Sequence, residues 1–229
     1  MIQAVLFDFN GVVIDDERIQ MKAYQEVFSG KGIELTEEDY FDCLGMSDPV
    51  FVKTIFEKSG RAASSDEIAA ATAEKTKKWK EAVDAGIPLF EGIEDFIKRL
   101  QTEFTLGLVS MACRKEIDHI LKSTGLDVCF ETIVSSEDVP TTKPDPACYR
   151  EGFRRVDLAG VAKGNSPITR RQCVVIEDSP AGVISAKSAR LKALGVTNTV
   201  DAGALRDAGA DAVTANVNDW NAESFRRVF

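Results

Sequence analysis

The chain has one histidine, His119, and its five cysteines (Cys43, Cys113, Cys129, Cys148 and Cys173) form no C-x-x-C pair. That scarcity excludes a zinc site of the usual spacing. The odd, scattered thiols argue against a disulfide framework and for reduced cysteines in a cytoplasmic protein. No apolar stretch is long enough to span a bilayer. The N-terminus lacks a basic segment followed by an apolar one, so no signal peptide is expected. Basic residues are outnumbered, 28 Lys and Arg against 37 Asp and Glu, for a net charge of −9. A nucleic-acid or anionic-membrane partner would require a basic face, and none is expected here. Repeats and low-complexity tracts are also missing. What remains is a 229-residue chain, 44% hydrophobic and 28% charged, long enough for one domain or one domain with an insertion, and expected to be a monomer.

An apolar run from Ala4 to Phe7 leads into Asp8-Phe9-Asn10-Gly11, the pattern of a buried strand that delivers a carboxylate to a tight loop. Residues 15–86 then read as helical throughout. One helix ends near Ser29-Gly30, caps fall at Thr36, Ser47 and Ser64, and a long helix runs through Trp79 to Val83. From residue 87 strands and helices alternate. Strands are expected at 105–110, 132–134, 173–176, 193–196 and 212–213, and helices at 92–100, 114–124, 146–156 and 181–189. Residues 157–171 are expected to be a surface loop, longer than such a connection needs. Alternation with continuous apolar strands implies an α/β fold. We expect a Rossmann-like parallel-sheet core, residues 1–14 and 87–229, with an all-helical cap, residues 15–86, inserted after the first strand.

Ligands of open parallel sheets bind at the carboxyl ends of the strands. Four such ends carry polar residues: Asp8 and Asn10; Ser110; the loop Lys143-Pro144-Asp145-Pro146; and Glu177-Asp178-Ser179-Pro180. Each alone has an ordinary explanation. Asp8 could be a turn residue, Ser110 a helix cap, Lys143 a solvated loop lysine, and Glu177-Asp178 the acidic first turn of a helix with Pro180 near its start.

Taken in order, Asp8-Phe9-Asn10-Gly11-Val12-Val13, Leu108-Val109-Ser110, Lys143-Pro144-Asp145 and Val174-Val175-Ile176-Glu177-Asp178-Ser179-Pro180-Ala181-Gly182 resemble the motifs of the haloacid dehalogenase superfamily of phosphotransferases. The resemblance covers residues 3–215. The insert resembles the helical cap of the subgroup with β-phosphoglucomutase and phosphoglycolate phosphatase. It implies a Mg²⁺-dependent phosphatase of a small phosphorylated metabolite, working through an aspartyl-phosphate on Asp8 under a mobile cap. Asp8, the main-chain carbonyl of Asn10 and Asp178 would hold the metal, with Glu177 beside them. Lys143, the Ser110 hydroxyl and neighbouring N–H groups such as that of Met111 would bind phosphate.

Two positions depart from the pattern. Asn10 stands where most phosphatases of the superfamily carry an aspartate general acid, a role worth about 10²–10⁴-fold. An amide can donate a hydrogen bond but cannot exchange a proton near neutral pH. Asn10 therefore leaves three readings open: a weakened phosphatase, a phosphate-ligand-binding or regulatory protein without turnover, and a stalled aspartyl-phosphate. It could also be only a good loop residue before Gly11. Asp48 lies in the cap loop Leu44-Gly45-Met46-Ser47-Asp48, where it either faces the site and reads a hydroxyl-rich or cationic leaving group, or only caps the helix that follows. Glu177-Asp178 argues against dehalogenation, because dehalogenases lack that metal pair. His119 is expected to be structural.

Overall fold

The computed structural model describes residues 1–229. Six short apolar runs form strands: β1 (Ala4–Phe7), β2 (Thr105–Val109), β3 (Thr132–Val134), β4 (Cys173–Glu177), β5 (Lys192–Val196) and β6 (Ala212–Thr214). They make one all-parallel sheet in the order β3-β2-β1-β4-β5-β6. Successive side chains of β1 serve opposite faces. Val5 and Phe7 join one apolar cluster with α5 (Ile93–Leu100), α6 (Arg114–Thr124) and α10 (Ala222–Val228). Ala4 and Leu6 join another with α7 (Ala147–Ala162), α8 (Pro180–Ser188) and α9 (Ala202–Asp207). Covering both faces explains why the strands are apolar throughout rather than alternating.

Residues 17–84 hold four helices: α1 (Glu17–Ser29), α2 (Glu37–Phe41), α3 (Asp48–Lys58) and α4 (Ser65–Asp84). A third apolar cluster, with Tyr24, Phe28, Phe51 and Phe56, belongs to them alone. Trp79 and Val83 of α4 pack instead with the cluster on the sheet, which ties this helical layer to the core. The expected caps at Thr36 and Ser64 are present, the second as a reciprocal capping box with Glu67. No helix is long and apolar enough to cross a membrane.

The expected loop at 157–171 is wrong in its first part. Helix α7 continues to Ala162, with Val156 and Gly160 buried on its inner face. Gly160 hid the apolar period, and the helix actually stops before Gly164, whose φ is +87°.

The strand order places β1 between β2 and β4, so the chain's reversal of direction across the sheet falls at the β1–β4 boundary. Loops leaving the two strands there diverge and open a crevice at their carboxyl ends. Phe7 is in register with Ile176, so Asp8 and Glu177 leave the sheet side by side.

Candidate active site

Asp8 is buried, with Lys143 Nζ 2.9 Å from its Oδ1. The same ammonium lies 2.6 Å from Glu177 Oε1. Both Glu177 oxygens are committed. Oε1 accepts from Lys143 and from the Tyr149 hydroxyl at 2.8 Å, and Oε2 accepts from the Asp178 N–H, the Ser179 N–H and the Ser179 hydroxyl. Asp178 is buried and accepts from the Thr199 hydroxyl. Burial and the Glu177 charge push the Asp8 carboxyl up to about 8, despite Lys143. Burial and the charges of Glu177 and Asp8 also raise Asp178 well above its usual value. Burial opposes the Lys143 ammonium, but Asp8 and Glu177 hold it above its usual value.

Three acids face one lysine here, and a carboxylate oxygen from each of Asp8, Glu177 and Asp178 lies within 4.8 Å of the others. Excess buried negative charge and hard oxygen donors fit a small divalent cation. The cradle leaves no room for a further carbon. At Gly11, φ +73°, an added Cβ would overlap the Asp178 carboxylate. Gly11→Ala is therefore expected to displace Asp178 and weaken Mg²⁺ binding tenfold or more, at a strain of about 1–2 kcal/mol. A Mg²⁺ titration followed by thermal unfolding would check this, and an unchanged midpoint would count against the site.

The Asn10 side chain is held by partners on both sides. Its Nδ2 donates to both oxygens of Asp16, at 2.9 and 3.0 Å, and its Oδ1 accepts from Ser110 Oγ at 3.4 Å. The opposite amide orientation would set two acceptors against each other, so the network fixes this one. Asn10 thus directs its donor away from the site and presents a carbonyl oxygen to it. Its backbone is not left-handed, so the residue is not there to supply a left-handed turn. Asp16 is fully buried and also accepts from Gln20 at 2.8 Å and from the Trp79 indole at 2.6 Å. Burial still raises its carboxyl above the usual range. Ser110 is not a helix cap. Its hydroxyl accepts the Ala112 N–H at 3.0 Å, while α6 begins only at Arg114.

One cavity of about 80 Å³ joins these groups to the helical layer, and Asp8, Asn10, Ser110, Met111, Lys143 and Asp178 all line it. Asp48 lines it too. Its carboxylate takes the Tyr24 hydroxyl at 2.5 Å and Lys75 at 3.1 Å rather than capping α3. His119 lies outside the cavity, where its ring pairs with Asp84 at 2.6 Å. Sequence reading missed Lys75, Glu116, Glu17 and Asp16. The signal for Lys75 was its place in the stripe Ala71, Lys75, Trp79 and Val83 on the buried face of α4.

Glu17 lines the cavity and accepts from Tyr40 at 2.6 Å. Burial, with the Asp16 charge, pushes it up from 4.5 to about 7. The folded protein then keeps a proton that the unfolded chain releases between those two values, so this group's contribution to stability declines as pH rises through that window. We expect Glu17→Gln to be more stable than wild type at pH 8 by about 1–2 kcal/mol, and equal to it near pH 4. Denaturant unfolding at both pH values would check this, and a gap that does not vary with pH would refute it.

Residues 5–196 match the family described as haloacid dehalogenase-like hydrolase. The chain is 27% identical over 218 residues to a phosphorylated carbohydrates phosphatase of Thermotoga maritima, covering 93% of this chain and 94% of that protein. It is 26% identical over 228 residues to the Arabidopsis thaliana protein SUPPRESSOR OF QUENCHING 1, chloroplastic, covering 95% of this chain and 20% of that longer protein. Its fold is similar to that of a β-phosphoglucomutase from Clostridium difficile, with a TM-score of 0.85, 21% identity, and coverage of 100% and 97% of the two chains. With the family's match running from β1 to the end of β5, the chain belongs to the haloacid dehalogenase-like hydrolases.

Proposed function

We propose that the protein is a Mg²⁺-dependent phosphatase of a small phosphorylated carbohydrate, with Asp8 as the nucleophile. The observation that carries this reading is the convergence of Asp8, Ser110, Lys143 and Asp178 on one cavity at the carboxyl end of a parallel sheet. The T. maritima relative's name supports the substrate class. The five free thiols support a reducing, cytoplasmic setting.

Mg²⁺ would be held by the Asp8 and Asp178 carboxylates and the main-chain carbonyl of Asn10, and it would supply charge neutralisation for a phosphate dianion beside a carboxylate. Glu177, with both oxygens engaged, positions Lys143 and the Asp178–Ser179 turn. Lys143 offers a point charge to the phosphate, and Ser110 Oγ and the Met111 N–H offer hydrogen bonds. An Asp8 oxygen attacks phosphorus in line, and the bond to the leaving oxygen breaks. Water then attacks phosphorus and releases inorganic phosphate, regenerating Asp8. The leaving oxygen receives no proton from residue 10, so poor leaving groups react slowly. The helical layer of residues 15–86 acts as the cap that opens for substrate.

Phosphate release from an aryl phosphate and from a panel of sugar phosphates at saturating Mg²⁺ tests the reading. The geometry of Asn10, which turns its donor to Asp16, favours a second one, a phosphate-ligand-binding protein without turnover. Mg²⁺-dependent thermal shifts by phosphorylated ligands, with no release across the panel, would select it.

A further inference from the structure

The distal half of the cavity holds a buried ion cluster that bridges cap and core. Lys75 of α4 and Glu116 of α6 are each 1% exposed. Lys75 Nζ lies 3.1 Å from both oxygens of Asp48, and 3.2 and 3.3 Å from those of Glu116. Thr76 donates to Glu116 at 2.8 Å. The lysine's three N–H groups are thereby directed to two carboxylates, and the cluster carries one more acid than base.

Most side-chain donors of this half are also spent. The Tyr24 hydroxyl donates to Asp48, and the Tyr40 hydroxyl donates to Glu17. The Gln20 amide N–H donates to Asp16. What the side chains leave over is chiefly acceptors. Gln20 Oε1 is buried with no partner, and Glu17 Oε1 makes no hydrogen bond while its residue lines the cavity. Among all the lining residues the only cations are Lys75 and Lys143, and each is already paired with acids. A second phosphate or a carboxylate offers only acceptors and negative charge. It would be desolvated against like charge with no unpaired cation to meet it. Hydroxyl and ammonium groups bring donors to the unpartnered Gln20 and Glu17 oxygens.

We propose that Lys75, clamped between Asp48 and Glu116, sets the substrate class of this cavity. The phosphorylated compound carries hydroxyl or ammonium groups on its leaving part and no second anionic group. Monophosphorylated polyols and amino sugars fit; bisphosphates and phosphorylated sugar acids do not. This rests on the phosphatase reading for its reacting end, while the discrimination itself is a property of binding.

Sorbitol 6-phosphate and 6-phosphogluconate form a matched open-chain pair, differing at C1 by a hydroxymethyl against a carboxylate, and 1-amino-1-deoxysorbitol 6-phosphate places an ammonium there. Wild-type kcat/KM is expected to favour sorbitol 6-phosphate over 6-phosphogluconate at least tenfold, with 1-amino-1-deoxysorbitol 6-phosphate no worse than sorbitol 6-phosphate. Equal or better use of 6-phosphogluconate overturns the proposal. The near-isosteric pair Asp48→Asn and Glu116→Gln keeps acceptors for Tyr24 and Thr76 but frees the Lys75 charge. In that double variant the preference should fall at least fivefold, and an unchanged ratio overturns the assignment to the cluster. Dissociation constants of the three compounds on Asp8→Asn protein with Mg²⁺ separate this inference from the phosphatase reading. The same ranking in binding, without turnover by wild type, sustains the inference and removes the reaction. No ranking, or no binding by any of the three, removes the inference.

Discussion

Asp8→Asn is expected to abolish phosphate release from aryl and alkyl substrates alike, by about 10⁴-fold or more, as loss of a nucleophile does. No other side chain stands in its place. Lys143 at 2.9 Å and the committed Glu177 are arranged around the Asp8 oxygens, and Asp178 is bound to Thr199. The variant should nonetheless fold well. Asp8 is a buried carboxylate whose charge is opposed by burial and by Glu177, so in the absence of metal an amide removes repulsion. The expected pattern is therefore an inactive protein whose metal-free melting temperature equals or exceeds that of wild type, with a smaller thermal shift on adding Mg²⁺. Residual release above about 1% of wild type would remove Asp8 from the nucleophile's role.

Asn10→Asp should raise turnover of alkyl phosphates by about 10²-fold or more, while aryl phosphates, whose leaving groups need little protonation, change only a few-fold. The tertiary structure adds a cost that residue 10 alone does not reveal. The new carboxylate would stand where the amide now donates, 2.9 and 3.0 Å from the oxygens of the fully buried Asp16. Two acids at that distance cannot both ionise, so one retains a proton and folding is penalised by about 1–3 kcal/mol at neutral pH. Adding Asp16→Asn should recover the stability and keep the gain in turnover. Denaturant unfolding and steady-state rates on both variants check the pair of effects. Unchanged alkyl turnover in Asn10→Asp would mean that residue 10 has no part in proton transfer. Since Asn10-Gly11 is a deamidation-prone sequence, peptide mapping of active wild-type samples should accompany these rates.

The strand ends were legible because each obeys a local rule. A continuous apolar run predicts a strand covered on both faces, and the polar residue after it marks the carboxyl end of the sheet. That logic identified Asp8, Ser110 and Asp178, the family resemblance singled out Lys143 in the loop after β3, and the cavity joins all four. Glu177 is legible as a member of the acidic cluster. Only its hydrogen bonds reveal that it anchors Lys143, Tyr149 and the Ser179 turn. Asp48 was open between capping and facing the site, because both uses suit an acid at the start of a helix. Its pairing with Lys75, 27 positions away, favours the cavity. The tail of α7 was misread because Gly160 interrupts the apolar period without interrupting the helix.

By itself, the sequence determined the α/β class, the helical insertion, and the four strand-end motifs, since these follow from periodicity and short-range order along the chain. The tertiary structure alone decided which way the Asn10 amide turns and how the charge of Lys75 is used. Both depend on buried partners brought together from distant segments, Asp16 with Trp79 and Asp48 with Glu116. In a site with little water, an ionisable group takes its character from the donors and charges that folding sets against it, and residue type alone does not give them.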